Sequence, residues 1–318
     1  MDVQALFSVM LTLFCLMVCG YFCRKTGIIT ETISKGLSRL IISVGQPMMI
    51  IDALNRADYS GKHLRIAWQV TLLSFAVHAL LCIMAFGIGT LLRGKGNPDR
   101  NKIFEFSLVF ANVGFLGFPI LESVLGTGIG SFVGAFYGIG YHLFLWTWGI
   151  LILSRGREDI RLTPKKIFLN YGTIPCAIGV ALYLCKPLFT LPDFCSSFLG
   201  YLGNLCTPIS VLVTGSLLAA LGLAKLFTTP RLYLHAAIKL LLLPFLLCIL
   251  AKLAGLNEFY LLIVAAMAGV PSAATATMLA ELYDIEPEYA AQTVGMTSLL
   301  STATLPPLML FAQWLAAI

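Results

Sequence analysis

Hydrophobic residues fill this chain in long blocks, and polar residues are confined to short gaps between them. A helix needs about 20 apolar residues to cross the hydrocarbon of a bilayer. Ten blocks reach that length, at roughly 3–23, 33–54, 66–92, 103–125, 129–154, 166–186, 196–222, 231–254, 259–282 and 288–316. The pattern predicts an all-α integral membrane protein with ten transmembrane helices. Two blocks carry an internal Gly-x-Pro: Gly117-Phe118-Pro119 in the fourth and Gly269-Val270-Pro271 in the ninth. Proline removes a helical hydrogen bond. In lipid the freed backbone groups must find other partners.

The most charged stretch, Arg155 to Lys166, divides the chain and leaves five blocks on each side. An odd number of passes per half inverts one half relative to the other. The expected organisation is a first five-helix repeat at 1–155, a cytoplasmic linker at 156–165 and a second, inverted repeat at 166–318. Internal echoes fit a duplication. Ser43-Val44-Gly45-Gln46-Pro47 resembles Asn204-Leu205-Cys206-Thr207-Pro208, 161 residues later, and Leu6-Phe7 resembles Ile167-Phe168 at the same offset. The two Gly-x-Pro sites lie 152 residues apart. An axis in the membrane plane would bring broken helices four and nine together, which is where transporters of this design bind substrate. Half-helices starting at Pro119 and Pro271 would present unpaired N–H groups and positive dipole ends, suited to a carboxylate. Gly117 and Gly269 would remove side chains where the backbones cross.

Composition narrows the class. With 58% hydrophobic and 11% charged residues and a mean hydropathy of +0.90, a soluble domain and a disordered chain are excluded. The gaps are too short for an extramembrane enzyme or receptor domain. The net charge of +6 is a topology signal, with no nucleic-acid partner implied. Arg24, Lys25, Lys35, Arg39, Arg93, Lys95, Arg100, Lys102 and the run Arg155–Lys166 flank odd-numbered blocks, while fewer basic residues (Arg56, Lys62, Arg65, Lys186, Lys252) follow even-numbered ones. Basic loops stay cytoplasmic, so both termini are expected outside a cell membrane. The first block lacks a basic leader and is followed by Arg24-Lys25, so it reads as a retained span. Nine scattered cysteines without a CxxC read as packing residues, with no metal or cofactor.

Phe110-Ala111-Asn112-Val113-Gly114-Phe115-Leu116-Gly117-Phe118-Pro119 resembles the fourth-span motif of the auxin efflux carrier family. That family includes bacterial organic-acid permeases and the plant PIN-type auxin carriers. The resemblance covers the whole chain. It implies a crossover fold like that of the bile acid:sodium symporters. It also implies a scaffold of spans one, two, six and seven, a mobile transport domain, and an elevator motion. Homodimerisation through the scaffold is a further implication. Asn112 matches the asparagine that touches the substrate carboxylate, Pro119 and Pro271 match the crossover prolines, and Gln46 sits where the scaffold faces the substrate. Two departures, no asparagine before Pro271 and a short central loop, turn the expectation away from auxin. A small mono- or dicarboxylate such as malate or malonate fits better.

Intramembrane polar residues supply the other candidates, since such groups are costly in lipid. Lys239 shares a face of the eighth block with Arg231 and His235, and reads either as a fixed charge near the site or as a snorkelling lysine. Glu122 follows Pro119 and is a candidate for proton coupling. His78 and His142 read as relays or as packing histidines. Ser272, Thr275 and Thr277 follow Pro271 and either line the site or pack helices. The rival readings are a sodium-coupled symporter of the same architecture and a channel or sensor. No paired catalytic groups support an intramembrane enzyme.

Overall fold

The computed structural model describes residues 3–92, 97–126, 128–157, 169–221 and 227–318. Beyond residue 157 the expected linker lies outside these, as do Ile167 and Phe168. The elements in chain order are α1 (Val3–Lys25), α2 (Glu31–Arg56), α3 (Gly61–Leu91), α4 (Pro98–Val109) and α5 (Phe118–Leu125, entered through a π-turn at Val113–Gly117). They continue as α6 (Ile129–Ser154), α7 (Thr173–Cys185), α8 (Asp193–Gly203), α9 (Cys206–Leu221), α10 (Pro230–Leu253), α11 (Glu258–Gly269), α12 (Ala274–Leu282) and α13 (Pro287–Ala317). The polar gaps set the helix starts. Thr30, Ser60, Asn97 and Asn257 each accept a first-turn N–H through the side chain.

Six stretches are long and apolar enough to cross a membrane among the described residues: α2, α3, α6, α10, α13 and the joined α8–α9 at Asp193–Ala220. The expected fourth and ninth spans fall short of that length because each is cut in two. Between α4 and α5, and between α11 and α12, the backbone leaves the helix and runs extended.

The cuts are not where the prolines suggested. Gly117 has helical dihedrals (φ −62°, ψ −42°) and Pro119 lies inside the first turn of α5. The first break is at 110–112, seven residues before Pro119. Pro271 lies within its break, and the helix after it starts only at Ala274. The π-turn explains the difference. Gly117 N–H bonds the Asn112 carbonyl five residues back, at 3.1 Å. This wider turn accommodates a proline two residues later without breaking the helix. The same device recurs at Ile41–Gly45 before Pro47 and at Ile238–Leu242 before Pro244.

Packing follows a paired pattern. α1 packs along α9, and α7 along the second half of α2. α5 packs on α6, and α12 on α13. The α1–α9 contact is the closest of these: a Cβ at Gly20 would sit 2.1 Å from the Leu212 carbonyl oxygen, and one at Gly215 1.9 Å from that of Met17. Backbones approach this closely only where small residues face each other. Gly215→Leu is expected to push α1 off α9, at a cost of about 1–3 kcal/mol or more. The check is a lowered melting midpoint of the detergent-purified protein, read by size-exclusion recovery after heating.

Candidate functional site

The two breaks meet. Ala111 and Ser272 form an isolated antiparallel bridge. Asn112 N–H donates to the Pro271 carbonyl at 2.7 Å, and Ala273 N–H donates to the Phe110 carbonyl at 3.0 Å. In unbroken helices Asn112 would donate to Leu108, and Ala273 to Gly269. Each break thus gives the other the partners it lost. The Leu108 carbonyl, deprived of Asn112, accepts from Lys239 Nζ at 3.1 Å. The Ser107 carbonyl accepts from Ser272 Oγ at 2.9 Å, and Ser272 N–H donates to Thr297 Oγ at 3.2 Å. His235 Nε2 lies 3.3 Å from Ser272 Oγ.

This geometry sorts the expected residues. Asn112 is 6% exposed and stands on the bridge. With Leu116, Ala274, Met17, Thr214 and Ser301 it lines a cavity of about 210 Å³. Gln46 is buried, with Nε2 3.4 Å from His142 Nδ1 and Oε1 unpartnered. Ser272 and Lys239 serve the break from behind, through the bonds just described. Gly117 leaves room for Met267 of α11, whose Sδ would lie 2.8 Å from a Cβ there. Gly269 leaves room for Leu308 and Leu305 of α13. It is thus a packing glycine toward α13. Thr275 lies close to Tyr141 of α6.

Two residues are placed elsewhere. Glu122 accepts from the Ser131 hydroxyl on α6. It lies ten residues beyond Asn112, about 15 Å along a helix, so it is not beside the bridge. His78 Nδ1 is 2.7 Å from the Ser74 carbonyl, and its ring packs on Tyr137, Tyr141 and Phe144. That is the setting of a satisfied packing histidine. Buried carboxylates that the sequence reading passed over are Glu105, which pairs bidentately with Arg155, and Glu281, which accepts from Ser38 Oγ at 2.6 Å. Glu281 lies in the last turn of α12 and Glu105 in the interior of α4, both inside apolar blocks whose overall hydropathy masks a single carboxylate.

The match to known proteins is as broad as the fold. A family profile described as membrane transport protein matches residues 5–309. The chain belongs to this family of transporters. The membership bears out the resemblance to the auxin efflux carriers. Relatives within reach are uncharacterized transporters. One from Methanothermobacter thermautotrophicus is 24% identical over 309 residues, covering 93% of this chain and 95% of that protein. One from Methanocaldococcus jannaschii is 24% identical over 321 aligned positions, covering 96% and 97%. The lysosomal cholesterol signaling protein of Mus musculus is 25% identical over 126 residues, 39% of this chain and 14% of that protein.

In this transporter the bridge uses the Asn112 main chain, and the residue also lines the cavity. Asn112→Pro removes the N–H given to Pro271, at a cost of about 3 kcal/mol or more. The expected result is loss of the monodisperse peak in fluorescence-detected size exclusion. An Asn112→Pro protein as stable as the wild type would show that the bridge contributes nothing.

Proposed function

We propose that this transporter is a secondary carrier of a small organic anion, a mono- or dicarboxylate, which binds at the crossing of the two breaks. The observation that carries this reading is the bridge itself, beside a cavity lined by Asn112. The π-turn leading into α5 and the start of α12 both lie at the bridge, and the first N–H groups of a helix have no partner within it. Two positive helix ends and a neutral amide donor favour a carboxylate. Lys239 adds a cation behind the crossing, where its ammonium caps the α4 carboxyl end. A charge there costs roughly 2.5–3.5 kcal/mol on insertion scales, a cost that fits a functional role.

The paired packing supports two inverted five-helix repeats. On that reading α1 corresponds to α7, α2 to α8–α9, α4–α5 to α11–α12, and α6 to α13. Ala111 and Ser272 are 161 residues apart, the same offset as the Gln46-Pro47 and Thr207-Pro208 echo. A Cβ at Gly45 would lie 2.9 Å from Cys206 Sγ, again 161 residues away. Two such contacts between equivalent positions mark where a two-fold axis in the membrane plane would pass. With the broken pairs joined, the chain makes ten passes with both ends outside. α1, α2, α7, α8 and α9 act as scaffold, shared across a homodimer, and the remaining helices carry the site between the two faces.

The test is uptake of radiolabelled malate, malonate, lactate and indole-3-acetate into proteoliposomes, with and without a pH gradient or sodium. Saturable exchange of a dicarboxylate is the expected result. A linear, unsaturable flux would support a channel instead. Asn112→Ala keeps the main-chain bridge, so it is expected to remain folded and lose uptake. Lys239→Met is expected to raise KM about tenfold or more. Normal kinetics in both variants would move the site away from the crossing.

A further inference from the structure

A second polar cavity, of about 330 Å³, lies on the other side of the α5 start. Its walls include Asp52 and Arg56 of α2, Gly114 and Ser131, and Asn204 and Thr207 at the α8–α9 junction. It shares Met49, Gly114 and Phe118 with a small inner void that reaches His142. The sequence counted Arg56 only as a marker of topology. In the fold its Nε donates to both carboxylate oxygens of Asp52, at 2.8 and 2.9 Å. Asp52 therefore fixes the guanidinium plane at the cavity wall. The Arg56 side chain is 60% exposed, that of Asp52 14%. Gly200 makes room for this pose, since a Cβ there would lie 2.5 Å from Nη2. The other cavity carboxylate, Asp58, has a cation of its own nearby. Lys186 feels its charge and donates to the Ala57 carbonyl beside it. A guanidinium held in one plane matches a carboxylate better than a freely turning cation does.

We propose that Arg56, held by Asp52, forms a capture subsite for a substrate carboxylate at the extracytoplasmic mouth, from which the anion moves inward past Gly114 to the crossing. This deepens the anion-carrier reading and rests on it. The subsite is half open to water, so its hold on an anion is weak and salt-sensitive.

The experiment is equilibrium binding of radiolabelled malonate to the purified, monodisperse full-length protein, at low and at physiological salt. The proteins compared are wild type, Asn112→Ala, Arg56→Gln and the double variant. The expected result is that Asn112→Ala binds at least tenfold more weakly, with residual binding that falls further with salt and is absent from the double variant. Residual binding of equal strength in the double variant overturns the capture subsite and leaves the crossing site intact. If Asn112→Ala binds as wild type does while Arg56→Gln binds nothing, the mouth stands and the crossing site falls. Wild type that binds no malonate overturns both.

Discussion

Lipid offers a backbone no hydrogen bonds, so any stretch that leaves the helix inside a membrane must be satisfied by protein. In this chain that constraint is met by making two interruptions face each other. Asn112 and Ala273 each give their N–H to the opposite strand, at Pro271 and Phe110. Neither break is tolerable alone. Together they form a local patch of sheet in an otherwise helical protein, and the packing around it serves that patch. Ser272 reaches Ser107, Thr297 reaches Ser272, and Lys239 reaches Leu108. A buried carbonyl without a donor costs about 1–3 kcal/mol, so each of these side chains offsets a loss the break creates.

The division of labour at the bridge follows from the same constraint. Hydroxyls and the ammonium lie on the side toward α4, α10 and α13, where carbonyls were freed. Gly114, Leu116 and Ala274 border the cavities, together with hydroxyls such as Thr214, Ser301 and Ser131.

Much of this was legible in the sequence. Apolar blocks gave the helices because hydropathy is a property of segments. The Phe110–Pro119 motif gave the family and pointed to Asn112, which does stand on the bridge. The Gly-x-Pro pairs misled about where the chain breaks. Pro119 and Pro271 look alike as residues, but a π-turn ahead of Pro119 absorbs one of them, and hydrogen-bond register cannot be read from a single proline. The pair that meets, Ala111 with Ser272, joins two unremarkable residues, so only the 161-residue offset of the Gln46-Pro47 echo hinted at it. Glu122 and His78 were chosen for their chemistry along the chain. Their partners, Ser131 and Ser74, show that side-chain direction decided otherwise. Arg56 was hidden for the opposite reason, since an arginine at the end of a span reads as a flank.

The bridge also sets a schedule for biogenesis. Its two strands are 161 residues apart, and chains grow at about 5–20 residues per second. For roughly 10–30 s after residues 110–112 are made, their future partners do not exist. During that interval the segment has to stay in a continuous helix, remain hydrated, or be shielded by the insertion machinery. The first half of the chain therefore reaches its working shape only after the second half arrives, so the two halves mature as one folding unit.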